Sequence, residues 1–205
     1  MPSVILAAAL DAFCERGFGS TPVPMVAERA GVAAGTIYRY FPGKKGLVNA
    51  LYQHWKGALS RELLEGLSRD APARQAFAEV WRRLVGFAVA YPRAFLFLET
   101  HHHAAYLDDA SRAVSRDLDA AITAVLRAWQ SRGEVRAGDP DVLVALVYGG
   151  FVGVVRQHSE RGLALSDRLY EETVHATWAA LAPPDASSAS RKRTSKTAPK
   201  SGARD

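Results

Sequence analysis

Residues 21–47 read TPVPMVAERAGVAAGTIYRYFPGKKGL, which predicts two short helices joined by a tight turn and followed by the start of a third. Pro22 and Pro24 suit the first turn of a helix, where a backbone N–H has no intrahelical partner to lose. Thr21 stands just before them and is expected to cap the helix through its hydroxyl. Gly31 tolerates the left-handed conformation that commonly ends a helix, so we place the turn there.

The second short helix is predicted over residues 34–41, with Ile37 and Phe41 four residues apart on its buried side. Each residue of a helix is rotated by about 100° from the one before it, so Gly35 and Arg39 lie opposite the core. A helix, a glycine turn and a second helix form the outline of the helix-turn-helix motif that reads DNA.

The outer face of this second helix carries groups that suit a nucleic acid. Thr36 offers a hydroxyl and a methyl group, and Arg39 offers a forked donor for guanine or phosphate. Tyr38 and Tyr40 have hydroxyls that can reach phosphate, and Lys44 brings a positive charge to the start of the next helix. The alternative is that the tyrosines pack on neighbouring helices and that Arg39 is a solvated surface charge.

Two segments, ILAAALDAFCERGF at residues 5–18 and VAERAGVAAGTIYRYFPGKKGLV at residues 26–48, closely resemble the N-terminal domain of the TetR family of transcriptional regulators. The resemblance covers roughly the first quarter of the chain, and its spacing is specific. In that family the helix carrying GTIYRY enters the major groove, so the resemblance implies a DNA-binding head. The residues expected to contact DNA are Thr21, Gly35, Thr36, Tyr38, Arg39, Tyr40 and Lys44.

The chain departs from the family pattern at Ala33, where Ser or Thr is usual, and at Ala34, where Lys is frequent. One helix cap and one DNA contact are therefore missing, which affects the base preference rather than the fold. These two alanines leave open the alternative of a helical adaptor that no longer reads DNA.

The remaining helices follow from apolar residues that recur at a spacing of three to four. The first is predicted over residues 4–16, with Ser3 as its cap. The others are predicted over residues 44–67, 73–91, 93–102, 108–132, 140–161 and 166–181. No segment has a convincing strand pattern, so the chain is predicted to be all-α. We divide it into a helix-turn-helix DNA-binding domain (1–47), a helical ligand-binding and dimerisation domain (48–182) and a disordered basic tail (183–205).

Length and charge narrow the class of protein. With 205 residues, of which 48% are apolar, the chain can bury a sizeable core. Residues 1–60 hold six basic and three acidic residues, residues 185–205 hold six and two, and the remainder of the +5 chain is slightly acidic. Positive charge at both ends fits a polyanion-binding head on a neutral body. The tail either adds salt-sensitive attraction to DNA or is simply solvated.

The single cysteine, Cys14, excludes an internal disulfide and favours a reducing cytoplasm. We interpret it as a small buried or half-buried side chain of the first helix, with redox sensing as the alternative. No signal peptide is expected, because the first apolar run lacks a basic start and contains Asp11. No unbroken apolar run reaches the roughly 20 residues that span a bilayer, so no membrane partner is expected.

The segment at residues 140–161 contains VLVALVYGGFVGVV and is apolar on nearly every side, which predicts a helix buried all round. Its glycines would let another helix approach closely. In the TetR family the last two long helices pair with their copies in a second subunit, so the resemblance implies a homodimer. The residues expected in that interface are Val142, Leu146, Gly149, Gly150, Gly153 and Trp178. The alternative is the central helix of a monomeric bundle.

Glu99 and the run His101, His102 and His103 suggest a metal site, since imidazole is a common zinc ligand. Consecutive helical residues point about 100° apart, so three successive histidines do not converge on one ion unless the helix ends there. We therefore expect no metal and no other cofactor. One histidine lining a cavity or bonding a backbone carbonyl is the favoured interpretation.

The TetR resemblance also implies that a small molecule binds in the helical body and releases the DNA. A mostly apolar pocket with a few polar groups would suit a hydrophobic or aromatic ligand. The candidate pocket residues are Trp55, Trp81, Phe97, His101, His102, His103, Tyr106 and Trp129. Large aromatic side chains in a helical body are more often core, which is the alternative for each of them.

The sequence thus predicts a cytoplasmic, dimeric, ligand-responsive regulator that represses transcription from a pseudo-palindromic operator. Two heads would read successive major grooves, and a ligand would tilt the helix that begins at Lys44 and change their separation. The alternative from another class is an enzyme that uses the histidine run as a metal or acid–base site. Against it, the sequence has no nucleophile elbow, phosphate loop, HExxH or paired-cysteine motif.

Overall fold

A computed structural model describes residues 1–68, 70–100, 105–161 and 167–184 of the 205-residue chain. Within those ranges the chain forms helices and no strand, so the prediction of an all-α fold is confirmed. The helices are α1 (Pro2–Arg16), α2 (Val23–Arg29), α3 (Ala34–Tyr40), α4 (Gly43–Leu64), α5 (Ala73–Ala90), α6 (Pro92–Thr100), α7 (Asp109–Ser131), α8 (Pro140–Arg161) and α9 (Asp167–Leu181). The tail at 185–205 lies outside the described residues.

Helices α2 and α3 form the predicted helix-turn-helix, and the turn between them is a Schellman motif. Gly31 adopts a φ of +67°, and its N–H donates to Glu28 O at 3.1 Å. The N–H of Val32 donates to Ala27 O at 3.0 Å, which completes the motif. Because this φ crowds a Cβ against the backbone, glycine ends α2 with the least strain.

The head, formed by α1 to α3 and the start of α4, packs around large apolar side chains that are fully buried. They are Ile5, Phe13, Val26, Ile37 and Leu47. Helix α1 contacts α2, α4 and α6, while α2 contacts α3. The head is therefore joined to the rest of the chain through α4 and across the contact between α1 and α6.

Ion pairs reinforce the contact between the head and α6. Arg93, in the first turn of α6, pairs with Asp11, and its Nη1 lies 3.7 Å from Glu15 Oε1. Arg29 donates to Glu15 at 2.6 Å, which links α2 to α1. The pKa of Glu15 is lowered, chiefly by this hydrogen bond from Arg29. These side chains are largely exposed, so salt is expected to weaken the pairs.

Cys14 lies at the same contact and is half-buried, as predicted from its position on the first helix. Its thiol donates to Arg93 O at 3.3 Å, and burial raises the pKa of the thiol to about 11. A thiol that stays protonated at neutral pH is a poor nucleophile, so this environment disfavours redox sensing.

Two expected helix ends are corrected by the structure. Helix α1 begins at Pro2 without a side-chain cap, so Ser3 lies inside the helix instead of capping it. Helix α4 ends at Leu64 instead of residue 67, because Glu65 is extended and Gly66 adopts a φ of +68°.

Helix α4 connects the head to the helical body formed by α5 to α9. It packs against α1 on the head side and against α5 and α7 on the body side. Its inward side chains are buried, among them Leu47, Leu51, Leu59 and Leu63. The expected domain division after residue 47 falls inside this continuous helix, so α4 belongs to both parts.

The expectation that the 140–161 helix is buried all round is wrong within a single chain. Helix α8 packs against α7 and α9, but Val142 is 56% exposed and Leu146 is 64% exposed. In the described part of the chain, Pro140–His158 is long and apolar enough to cross a membrane, with a mean hydropathy of 1.2. Only 17% of that window is buried. The apolar surface of α8 therefore has an inner face packed within the chain and an outer face without a partner among the described residues.

Candidate nucleic-acid interface and regulatory cavity

Helix α3 buries one face and exposes the opposite face. Ile37 has 0% of its surface exposed, and Phe41, directly after the helix, is also buried. On the opposite side Tyr38 is 56% exposed. The exposed residues of α3 are Gly35, Tyr38, Arg39 and Tyr40, with Thr36 half-buried at the edge. The two buried anchors thus fix the rotation of α3 and hold its predicted reading face outward.

A cation and a phenol lie together at the end of α3. Arg39 Nη2 donates to the Tyr40 hydroxyl at 3.3 Å, and the guanidinium carbon lies 5.1 Å from the centre of the Tyr40 ring. This contact leaves other guanidinium N–H groups available, so Arg39 can still donate to a base or a phosphate.

The start of α3 carries almost no side-chain bulk. Ala33 occupies the N-cap position and makes no side-chain hydrogen bond, as the sequence predicted. A Cβ atom placed on Gly35 would meet nothing within 4 Å, so packing inside the chain does not require this glycine. Ala33, Ala34 and Gly35 therefore present a surface that a second macromolecule can approach closely.

Lys44 lies in the first turn of α4, and its ammonium group already has neighbours in the head. Nζ donates to Gly19 O at 3.1 Å and lies 4.4 Å from the centre of the Phe18 ring. Partial burial lowers the pKa of this ammonium. An ammonium has three N–H donors, and Gly19 O takes one of them, so these contacts orient the group and leave it able to bind an anion.

Thr21 is corrected by the structure on both of its expected roles. Its side chain is 0% exposed, and its hydroxyl donates back towards Ala12 O at 3.1 Å and Gly17 O at 2.8 Å. The N-cap of α2 is Pro22, which has no side-chain cap. The Thr21 hydroxyl therefore ties the loop to α1, and it neither caps α2 nor reaches DNA.

A cavity of about 160 Å³ lies in the helical body between α4, α5, α7 and α8. Its wall is apolar except for Lys56, Asp119 and Tyr148. Trp81 and Trp129, two of the predicted pocket residues, line it. The cavity is therefore suited to a mainly apolar molecule with few polar groups.

Aliphatic side chains form most of the cavity wall. The sequence prediction missed them because it selected aromatic residues and histidines. The aliphatic residues include Leu59 and Leu63 from α4 and Leu118, Ile122 and Leu126 from α7. Within each helix these residues are spaced by four, which places them on one face. That spacing was the sequence signal that could have identified α4 and α7 as facing walls.

Tyr148 also lines the cavity and was not predicted from the sequence. Its hydroxyl donates to Glu99 Oε1 at 2.6 Å, which links α8 to α6 beside the cavity. Burial, assisted by the nearby Glu99 carboxylate, raises the pKa of Tyr148, so the phenol stays neutral. No sequence pattern pairs these two residues, which are 49 positions apart.

Trp55, a third predicted pocket residue, does not line this cavity. Its ring centre lies 6.3 Å from that of Phe87 and 5.2 Å from that of Tyr91, in an open surface group between α4 and α5. Although Trp55 lies four residues before Leu59, its ring lines this surface group and not the cavity.

The predicted pocket residues Phe97 and Tyr106 do not line this cavity either, because both rings pack against the head. The Phe97 ring centre lies 6.5 Å from that of Phe13, and the Tyr106 ring stacks on Phe18 at 4.2 Å. His101, His102 and His103 fall outside the described residues. In the part of the chain that is described, no group of three or more His, Cys, Asp or Glu side chains is placed to hold a metal ion.

The residues expected in a dimer interface separate into two sets. Val142, Leu146, Gly149 and Gly150 share the exposed face of α8, with Gly153 half-buried beside them. Trp178 is half-buried on α9, and its ring centre lies 5.6 Å from that of Phe77, so it packs against this chain's own core.

Comparison with known families accounts for nearly the whole folded chain. The family model described as "Bacterial regulatory proteins, tetR family" matches residues 5–57. The model described as "Tetracyclin repressor-like, C-terminal domain" matches residues 52–182, which is more than half of the chain. The two matches meet within α4.

Individual relatives agree with this assignment. The fatty acid metabolism regulator protein of Bacillus subtilis (strain 168) is 33% identical over 76 residues, a match that spans 37% of this chain and 39% of that protein. The HTH-type transcriptional regulator RutR of Escherichia coli (strain K12) is 29% identical over 153 residues, or 70% of this chain and 68% of that protein.

The fold is shared with a solved TetR family transcription regulator from Marinobacter aquaeolei VT8. The TM-score is 0.79 at 20% identity, and the superposition covers 88% of this chain and 95% of the other. The chain belongs to the TetR family of bacterial transcriptional regulators, whose members bind DNA as dimers and respond to small-molecule effectors.

Proposed function

We propose that this chain represses transcription by binding a pseudo-palindromic operator as a homodimer, and that a small apolar molecule releases it. The observation that carries the proposal is the orientation of α3. Ile37 and Phe41 anchor the helix in the head, while Tyr38 and Arg39 are exposed on its outer side. A helix held in this way can enter a major groove without disturbing the core that supports it.

The proposed DNA contacts divide into two kinds. In this proposal Thr36 and Arg39 contact base edges, because a hydroxyl–methyl pair and a forked donor both discriminate between bases. Tyr38, Tyr40 and Lys44 contact phosphates, and these contacts fix the orientation of the head on the duplex. Gly35 adds no contact of its own and allows the helix to come close.

The outer face of α8 supports the homodimer. Val142 and Leu146 are exposed within one chain, and a Cβ atom placed on Gly149 or Gly150 would meet nothing within 4 Å. An exposed apolar face flanked by glycines suits a second helix that approaches closely. A second copy of the chain presents the same face and supplies the second head that a two-part operator requires.

The cavity supports an effector of limited size. An engineered cavity of about 150 Å³ holds benzene, and the cavity here has about 160 Å³. A compact apolar molecule would fit without moving the walls, and a larger one would force α4 and α7 apart. Since α4 carries the head, such a displacement changes the spacing of the two heads and favours release.

The proposal includes the remaining properties inferred from the sequence. Residues 1–47 act as the DNA-binding head, residues 48–182 as the regulatory and dimerisation domain, and residues 183–205 as a basic tail. The protein works in the cytoplasm and catalyses no reaction. No observation in the described residues favours a second candidate function.

The proposal is tested by measuring DNA binding across a series of salt concentrations, with a duplex that the wild-type chain selects from random-sequence DNA. Tyr38→Ala and Lys44→Ala should weaken binding to all duplexes and reduce the salt dependence. Arg39→Ala should change the preferred sequence. Arg127→Ala, at an exposed position of α7 outside the head, is the matched control and should bind as the wild type does. Unchanged binding in all three head variants would refute the proposal.

A further inference from the structure

Phe18 connects the proposed phosphate contact to a residue outside the head. Phe18 lies in the loop between α1 and α2, and the Lys44 ammonium lies 4.4 Å from the centre of its ring. The ring of Tyr106 stacks on Phe18 at 4.2 Å with an angle of 18° between the planes. Tyr106 belongs to the connection between α6 and α7, so a residue of the regulatory domain supports the ring against which Lys44 rests.

Tyr106 is itself held in place by a buried amide on α4. Asn49 is 4% exposed, and its Nδ2 donates to Tyr106 O at 3.0 Å and to Lys45 O at 2.8 Å. Its Oδ1 accepts from Asp108 N at 2.8 Å and from the Ser111 hydroxyl at 2.7 Å. Both N–H groups and both oxygen lone pairs of the Asn49 amide are therefore used in hydrogen bonds, which fixes Tyr106 and Asp108 against α4.

We infer that Tyr106, fixed by Asn49, is a positioning residue that orients Lys44 for its phosphate contact. The inference rests on the proposed function, because it requires Lys44 to contact DNA. A lysine ammonium is carried on a flexible four-carbon chain, which loses much rotamer freedom when the ammonium is held at one point. The Phe18 ring and Gly19 O hold it before DNA arrives, and the stacked Tyr106 ring keeps Phe18 in the required orientation.

The hydrogen bonds of Asn49 connect the contact between Tyr106 and Phe18 to the cavity in the helical body. Asn49 and Ser111 join α4 to α7, and the same two helices form facing walls of the cavity through Leu59 and Leu118. A molecule that separates these helices at the cavity acts on the contact that holds Tyr106. The regulatory domain thereby controls the charge presented to phosphate as well as the spacing of the heads.

A double-mutant cycle on the full chain tests the inference. The affinity for the selected duplex and its salt dependence are measured for the wild type, Lys44→Ala, Tyr106→Ala and the double variant. Lys44→Ala should lower the affinity about tenfold or more and reduce the slope of log K against log salt by about 0.9 for each subunit. Tyr106→Ala should reproduce at least half of both effects. In the Lys44→Ala background it should have no further effect, because it acts through Lys44.

Conservative variants separate positioning from stability. Tyr106→Phe keeps the ring and should stay within about twofold of the wild type, whereas Tyr106→Leu keeps apolar bulk without a flat ring and should behave as Tyr106→Ala does. A merely structural defect lowers the fraction of active protein and leaves the salt slope unchanged. If thermal melting shows that Tyr106→Ala does not fold, the Leu variant decides the question.

The results that would overturn the inference are distinct from those that overturn the proposed function. If Lys44→Ala weakens binding and lowers the slope while the Tyr106 variants do neither, or if the two losses are additive in the double variant, Tyr106 does not position Lys44. If Lys44→Ala leaves affinity and slope unchanged, the DNA role of Lys44 fails, and the inference fails with it.

Discussion

The two ends of α4 are held by different kinds of interaction. Near the head, the buried Asn49 amide makes four hydrogen bonds to its surroundings. Towards the body, Leu59 and Leu63 border a cavity of about 160 Å³. Breaking the hydrogen bonds would leave buried polar groups unsatisfied, whereas an unfilled apolar space lets a helix shift at lower cost. Helix α4 is thus fixed at the end that carries the DNA-binding head and adaptable at the end that lines the cavity.

The largest effect is expected from removing the amide at the fixed end. Asn49→Leu should lower the free energy of unfolding by about 2–4 kcal/mol, because the buried Ser111 hydroxyl loses its acceptor and the part-buried Tyr106 carbonyl and Asp108 N–H lose their partner. Urea denaturation measures the change. Gln75→Leu, at an exposed position on α5, is the matched control and should stay within about 0.5 kcal/mol of the wild type. Equal, small changes in both variants would show that the amide does not hold α4.

A smaller loss of stability is expected when a larger side chain is introduced at the head end of α4. Val48 lies on α4 with no exposed surface, so Val48→Leu should cost about 1–3 kcal/mol because the added methylene has no space. The same denaturation experiment gives this value. A neutral result would mean that the head end is less tightly packed than the structure shows.

The same substitution at the cavity should have the opposite or no effect. Val147 lines the cavity, so Val147→Leu should leave the stability unchanged or raise it by up to about 1 kcal/mol as the methylene enters empty space. Comparison with Val48→Leu makes each variant the control for the other. Should Val147→Leu cost as much as Val48→Leu, the space would be filled in solution and the contrast between the two ends would disappear.

The smallest effect is expected for the alkylation rate of Cys14, which probes the contact between the head and α6. Burial raises the pKa of Cys14 from 9.0 to about 11, so at pH 8 the native chain holds about a hundredfold less thiolate than the unfolded chain. Alkylation of the native protein should therefore be at least about tenfold slower than in concentrated urea. Equal rates in the two states would show that this contact opens freely.

Local chemistry made the head predictable. Gly31 ends α2 as expected, and the four-residue spacing of Ile37 and Phe41 correctly identified the buried side of α3. These features depend on residues close together in the chain. Thr21 is the exception, because its hydroxyl donates back towards Ala12 O and Gly17 O at the end of α1 and does not cap the adjacent helix α2.

Long-range packing made the cavity harder to predict. Helical spacing places Trp55 on one face of α4, but it does not say whether that face meets α5 at the surface or α7 across the cavity. Phe97 and Tyr106 were misplaced for the same reason, since α1 and its following loop take both rings into the head. The outer face of α8 could be recognised as apolar from sequence, whereas its exposure depends on how one chain packs.

Selection of bound sequences from random duplex DNA, with the full chain at low ionic strength, tests the central claim most directly. The exposed face of α3 on a dimer predicts enriched sequences with two inverted half-sites, whose centres lie about one helical turn or a multiple of it apart. Recovery of no enriched sequence, or of a single half-site without its inverted copy, would contradict a paired head that reads DNA through α3.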